Sequence, residues 1–208
     1  MTSRVSTYMI LKKSNKTPEY KEYRIEREND RNMIIFRKAL RDDLDQIEAI
    51  YNKIHTEEEQ GHCSIGWVRD IYPTRKTAIQ ALKEGDLFVA DLNGVVLASA
   101  RINKEQVNEY AYADWTWQAA EDEVMVLHTL TVNPKEKRMG IGSAFVAFYE
   151  DYAKNHGSSY LRMDTNERNV RARRLYRKLG YKEVGIVNLN FNGIPDVRLV
   201  CLEKKLIP

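Results

Sequence analysis

The chain has 208 residues and a mass of 24.3 kDa, 43% of it apolar, which suits one domain of ordinary size, with or without an appendage, rather than two. No apolar stretch approaches the ~20 residues that span a bilayer, and the first residues lack the apolar segment and cleavage site of a secretory signal, so a soluble, cytoplasmic protein with no membrane partner is expected. The net charge of +3 conceals a division into −7 over 33–134 and +7 over 135–182, which suits two ligands of opposite sign and equally suits solvated charged faces.

Residues 1–32 carry scattered charges, few apolar residues and no sustained period; we expect a poorly ordered N-terminal extension ahead of a single domain at 33–208. Met33 to Ala39 is a strand-like run, and Asp42 or Asp43 can cap a helix whose apolar face is Leu44, Ile47, Tyr51 and Ile54. Residues 56–73, with Gly61, Gly66 and Pro73, read as a loop or broken helix, and a second short helix follows from Thr74 with Ala78, Ile79 and Leu82 inward. Leu87–Leu92 and Val95–Ile102 around Asn93-Gly94 form a hairpin, because Asn-Gly accepts the positive φ angles of a type I′ turn. A polar, aromatic-rich insert spans 103–123, and the β-branched run Val124 to Val132 then stops at Asn133-Pro134. Gly140 to His156 is helical, Ser159 to Met163 a strand, and Asn169 to Leu179 a helix stopped by Gly180; two strands flank an Asn192-Gly193-Ile194-Pro195 turn. The alternation implies a mixed sheet flanked by helices, in the α/β (α+β) class. Cys63 and Cys201 are too few for a disulfide framework and stand in no metal-ligand spacing, so inert buried thiols and no metal are expected.

Lys137-Arg138-Met139-Gly140-Ile141-Gly142-Ser143 lies between a strand and a helix, where unpaired N–H groups and the positive helix end can hold a pyrophosphate. Glycine lets the backbone approach phosphate without an intervening Cβ. The turn lacks the spacing and the Gly-Lys-Ser/Thr of a P-loop. A dinucleotide fingerprint fits less well than it first looks. Asp164 stands near the ribose-binding position, but Phe145 replaces the third glycine and too little chain follows.

With its surroundings, the turn resembles the GNAT superfamily of acyl-CoA N-acyltransferases. That signature is a strand ending in Leu-x-Val, a Gln/Arg-x-x-Gly-x-Gly/Ala turn opening a helix, and a later helix reading Asn-x-x-Ala-x-x-Leu-Tyr-x-x-x-Gly-Phe. Here stand Leu130-Thr131-Val132, Gly140-Ile141-Gly142, and Asn169, Ala172, Leu175, Tyr176, Gly180 and Tyr181, in order and at that spacing. Lys137 replaces Gln/Arg and Tyr181 replaces Phe. The likeness is specific over 124–188, weaker over 33–102 and absent over 1–32. It implies a mostly antiparallel mixed sheet of about seven strands, splayed between the fourth and fifth. It further implies an acetyltransferase with acetyl-CoA as cosubstrate and no metal. The implied cofactor-binding residues are Leu130, Thr131, Val132, Lys137, Arg138, Met139, Gly140, Ile141, Gly142, Ser143, Asn169, Ala172 and Tyr176.

Attack of an amine on a thioester needs a base for the amine, which titrates near ~10.4, and an acid for the thiolate, near ~8.5. Tyr176 occupies the family's general-acid position. Asn169 stands where the family contacts the pantetheine arm, and it equally suits a helix N-cap. His128 is the natural proton acceptor near neutral pH, where some small-amine members carry a histidine, and Glu123 is the alternative base. The family's strand bulge, near Leu127 or His128 here, would polarise the thioester oxygen through a backbone N–H.

Glu57, Glu58, Glu59, Trp67, Tyr72, Glu109, Tyr110, Tyr112, Asp114, Trp115 and Trp117 would suit a cationic amine by charge and ring faces, or simply be surface acids and core aromatics. A small-molecule amine is the expected acceptor, with a protein N-terminus or lysine as an alternative and a homodimer compatible with either. A catalytically silent CoA-binding sensor is the reading from another class. The arginines at 168, 171, 173, 174 and 177 raise nucleic-acid binding, but RNA-type aromatic motifs are missing, and no nucleic-acid partner is expected.

Overall fold

The structure, a computed structural model, describes the backbone of residues 11–12, 20–27, 30–136 and 139–206, and the side chains of that set from Met33 onward. Strands β1 (Leu11–Lys12), β2 (Tyr20–Arg27) and β3 (Asp30–Lys38) precede helices α1 (Leu44–Glu59) and α2 (Arg75–Glu84). Then come β4 (Leu87–Leu92), β5 (Val95–Asn103), β6 (Val124–Val132), α3 (Ile141–Asn155), β7 (Tyr160–Asn166), α4 (Val170–Lys178), β8 (Lys182–Phe191) and β9 (Ile194–Lys205). The sheet order is β1-β2-β3-β4-β5-β6-β7-β9-β8, and β6–β7 is its one parallel pair among the described residues. The seven strands from β3 onward are the mixed sheet expected from the sequence, with the parallel pair formed by their fourth and fifth members. β2 adds a strand outside β3, in register from Tyr20↔Arg37 to Arg27↔Asp30.

Period-two alternation sorts the core into two faces. Met125 and Leu127 point to the face covered by α3 and α4, with Phe36, Phe88, Phe145 and Phe148. Phe36 stacks on Phe148 at 5.4 Å and meets Phe145 edge-on at 5.3 Å. Val124 and Val126 point the other way, into a cluster with Tyr110, Val184, Val197 and Cys201. On that second face α1 buries Leu44, Ile47, Ile50, Tyr51 and Ile54, as its spacing predicts, against Leu87, Val89 and Val96. Asn93 and Gly94 take φ of 52° and 84°, so the β4–β5 hairpin turns as expected. Gln46 of α1 ties the turn down through Gly94 O (3.0 Å) and Val96 N (2.9 Å).

Four local expectations change. α1 runs on to Glu59, so only the later part of 56–73 is loop. Asp43 does not cap α1: its carboxylate accepts the Leu40 N–H (2.6 Å) and two Arg37 N–H groups (2.7 and 2.9 Å). β7 extends past Met163 to Asn166 because β9 pairs with it throughout, including Asp164↔Cys201. The last turn is Asn192-Gly193 alone, and Ile194 and Pro195 already belong to β9. Cys201 is fully buried, whereas Cys63 is only half-buried, with its thiol on Glu58 (3.3 Å). Among the described residues no helix is long and apolar enough to cross a membrane.

Candidate active site

The β6–β7 ladder runs from Val124↔Tyr160 to Leu127↔Met163 and ends there. Beyond it β6 continues against β5 to Val132, and β7 continues against β9 to Asn166, so the two strands part. The local cause is a bulge: the β5–β6 register shifts between Ser99 and Arg101, and Thr129 takes φ 52°, a strained value for a β-branched residue. The family resemblance implies this bulge near Leu127 or His128, and it falls one or two residues later. From Thr129 to Val132 the edge of β6 that faces β7 has no strand partner among the described residues, which leaves its backbone polar groups available to a ligand.

On the helical face, Leu130 and Val132 pack toward α3 and α4, while Thr131 is buried and holds Ser99 Oγ at 2.8 Å. Gly140, at φ 74°, is the N-cap of α3, and among the described residues no side chain caps that end, so the first N–H groups of the helix remain available. A Cβ on Gly142 would already lie 3.5 Å from Leu175 Cδ2 and 3.8 Å from Val132 Cγ2. A Cβ alone would fit in ordinary contact, whereas any bulkier side chain would press on β6 and α4. Ile141 is buried, Met139 and Ser143 half-buried. Lys137 and Arg138 lie outside the described residues. Asn169 caps α4, its Oδ1 accepting the Ala172 N–H (3.2 Å) and its Nδ2 donating to Thr165 Oγ1 (3.2 Å), so the capping role is realised. An open strand edge leading to an uncapped helix end fits a long, amide-bearing arm that ends at a pyrophosphate, as the pantetheine arm of acetyl-CoA does.

The titratable groups divide around the splay. Tyr176 on α4 is buried, with its ring 6.1 Å from that of Tyr181. Burial first, then the charge of Asp164, hold its hydroxyl well above the usual tyrosine range, so it is a firmly protonated donor. His128 is half-buried. Its Nε2 lies 3.0 Å from Asn103 Oδ1 and 3.1 Å from the Glu105 carbonyl, two acceptors that fix the proton on Nε2 and leave Nδ1 open. Burial, then the Arg101 charge, push its pKa down to about 4, and the imidazole is neutral at pH 7. Glu123 is exposed, accepts the Ala120 N–H (3.0 Å), and sits at the closed end of the β6–β7 pair, away from the splay.

The residue that the sequence reading weighed only as a ribose-binding acid, and set aside with that fingerprint, is Asp164. It stands on β7 immediately past the last β6–β7 pair and accepts the Tyr110 hydroxyl at 2.7 Å. Although part of the residue still meets solvent, protein crowds its carboxylate, and burial raises its pKa to about 6 against the opposing hydrogen bond from Tyr110. Tyr72, from the α1–α2 connection, hydrogen-bonds the Thr129 hydroxyl at the bulge. Its own pKa is raised to about 12 by burial, with the Asp164 charge contributing. Its ring meets Phe191 at 4.7 Å and Trp67 at 6.0 Å. A lone acid in a strand flanked by Met163 and Thr165 was the available signal.

The other acceptor candidates are engaged elsewhere. Glu58 accepts the N–H groups of Ile65 (2.6 Å) and Gly66 (2.9 Å), Glu59 pairs with Arg69 (2.7 Å), and Glu57 lies 3.7 Å from His62, so these three acids shape the connection after α1. Trp115 lies under the Arg162 guanidinium (4.0 Å), Trp117 against Tyr160 (6.4 Å), and the Asp114 N–H bonds Val184 O (3.1 Å). Tyr112 is exposed and Glu109 half-buried. The structure therefore brings Trp67, Tyr72 and Tyr110 toward the splay and leaves the rest apart.

Residues 44–181 match the Acetyltransferase (GNAT) family, and the chain belongs to that family. Among individual proteins, it is similar to an uncharacterized N-acetyltransferase of Methanocaldococcus jannaschii, 24% identical over 157 residues that make up 73% of this chain. The match spans 62% of that relative's length. Two solved structures share the fold. A GNAT-family acetyltransferase from Streptococcus agalactiae superposes with TM-score 0.70 at 22% identity, over 84% of this chain and 96% of its own. YncA of Salmonella typhimurium, solved with its cofactor acetyl-CoA, superposes with TM-score 0.60 at 17% identity, over 84% and 94%.

Proposed function

We propose that this protein transfers an acetyl group from acetyl-CoA to a primary amine of a small molecule, by direct attack within a ternary complex. The observation that carries this reading is the splayed β6–β7 pair, with an uncapped helix end on one face and aromatic and titratable side chains on the other. Acetyl-CoA supplies the activated thioester. The N–H groups at the start of α3, and Lys137 and Arg138 just before it in sequence, would hold its pyrophosphate, and the open edge from Leu130 to Val132, with Asn169 and Ala172, would line the pantetheine arm. A backbone N–H at the bulge would polarise the thioester oxygen. Tyr176 would give its hydroxyl proton to the leaving sulfur. Of the two bases expected from the sequence, His128 stands nearer the bulge with Nδ1 open, and Glu123 stands at the closed end.

The experiment is a screen of primary amines with acetyl-CoA, reading thiol release and the product mass. Acetylated small amines are the expected result. Acetyl-CoA binding with no thiol release from any amine would overturn the enzymatic reading in favour of a sensor, and acetylation of peptides alone would move the acceptor to proteins.

A further inference from the structure

We infer that Asp164 is the subsite for the acceptor's ammonium group and the group that takes its proton, and that Tyr110 is the residue that positions Asp164. This rests on the reading above that an amine is acetylated. Three observations carry it. Asp164 sits at the point where β7 leaves β6, on the sheet face opposite α3 and α4, and its charge is felt by Tyr176 on the helical face. The splay thus connects a thioester approaching from one face with an amine approaching from the other.

Second, the carboxylate has no ion-pair partner among the described residues, in contrast to the other crowded acids. Asp43 and Asp91 share Arg37, and Asp86 lies 3.7 Å from Arg101. Arg162, two residues earlier on β7, is engaged by Gln106 Oε1 (2.6 Å), the Trp117 carbonyl (3.2 Å) and the Trp115 ring (4.0 Å). The titratable groups around Asp164 are Tyr110 from the insert, Tyr72 from the α1–α2 connection, Tyr176 from α4 and Cys201 from β9, all of them neutral at pH 7. A crowded anion without a cation is costly unless a ligand supplies the charge.

Third, the surroundings suit that ligand. The rings of Tyr72, Phe191 and Trp67 form a contiguous aromatic group beside the bulge, and a carboxylate with aromatic neighbours favours a primary alkylammonium. Tyr110 is itself fixed in place, because Trp115 Nε1 donates to its carbonyl (2.7 Å) and Arg162 and Glu203 clamp the insert on either side.

In the step, the bound alkylammonium passes one proton to the Asp164 carboxylate, leaving a neutral amine and a carboxylic acid. The amine nitrogen bonds to the thioester carbonyl carbon as the carbon–sulfur bond breaks. The sulfur keeps that electron pair and takes the Tyr176 hydroxyl proton, and the Tyr176 phenolate recovers the second proton shed by the nitrogen. Asp164 loses its proton to solvent on product release, so one ammonium and one thioester yield one amide, one thiol and one proton.

The test is a carbon-13 NMR titration of the Asp164 carboxyl in the full chain, assigned by its loss in Asp164→Asn, with and without n-propylammonium chloride. The expected midpoint lies near 6 and falls when propylammonium is present. A midpoint near the ordinary ~3.9, or one that propylammonium does not move, overturns the subsite. Tyr110→Phe is expected to raise the midpoint and shift the acid limb of kcat/KM to higher pH, and an unmoved limb overturns the positioning role. Kinetically, Asp164→Asn should lower kcat/KM about a hundredfold for alkylamines while sparing aniline, which is already neutral at pH 7. Equal losses for both, or none, overturn the proton transfer. If the wild type acetylates no amine, the acetyltransfer reading falls, and the titration still decides the subsite by itself.

Discussion

Two carboxylate sites in this fold face opposite problems. At the β3–β4 end, Asp43 and Asp91 lie either side of Arg37, at 2.7 and 2.8 Å, in a part of the sheet where every neighbouring strand is paired. Burial pushes the Asp43 carboxyl up, but the Arg37 hydrogen bonds and charge and the Leu40 N–H outweigh it, and its pKa ends below the usual range. At the β6–β7 end the ladder is broken, Asp164 has only a neutral hydroxyl, and its pKa is raised to about 6. Closed ladders and neutralised charge hold the domain together. Where pairing and charge are left incomplete, the chain keeps capacity for ligands, at a cost in its own stability.

If that division is right, changes on the open side read out as function and changes on the closed side as stability. The largest effect is expected from Tyr176→Phe, which keeps the packed ring and removes the proton donor. kcat should fall by about a hundredfold or more with acetyl-CoA affinity preserved, as steady-state kinetics beside calorimetry would show. Gly142→Val comes next. Its branches would wedge against Leu175 and Val132 at the mouth of the helix end, and calorimetry should show acetyl-CoA binding weakened roughly tenfold or more in a folded variant. On the closed side, Arg37→Met strands two carboxylates. Discounted for its partial exposure, the loss should be about 2–3 kcal/mol by denaturant unfolding. That loss should be present above the ordinary Asp pKa of ~3.9 and fade as pH falls through the lowered pKa of Asp43. The smallest effect is expected from deleting residues 1–32: we propose that acetyl transfer and acetyl-CoA affinity survive, and loss of either in kinetics would show that the extension serves the domain.

The same division explains what could be read from the chain. The closed half is local: Asn93-Gly94 sets its turn, the spacing of Leu44, Ile47, Tyr51 and Ile54 gives α1, and the bounds of β6 follow from its β-branched run. The glycine turn and the Asn169 cap were legible for the same reason, since each is complete within a few residues. Asp164 was not. Its strand is lengthened by pairing with β9, its hydrogen-bond donor arrives from the insert, and its aromatic neighbours come from the α1–α2 connection and the β8–β9 hairpin. The acids at 57–59 misled in the opposite way, because adjacency in sequence says nothing about the loop amides and arginine that occupy them.

The most direct test of the contrast is the pH dependence of stability in Asp164→Asn against wild type, without ligands. A carboxyl whose folded pKa is raised binds more protons folded than unfolded between about 4 and 6, so wild-type stability falls over that window and stays lowered above it. The variant should therefore match wild type near pH 4, gain on it up to pH 6, and melt a few degrees higher at pH 8. A variant that melts lower than wild type at pH 8 would show that Asp164 is a compensated structural charge like Asp43, and would contradict the distinction between the two ends of the sheet.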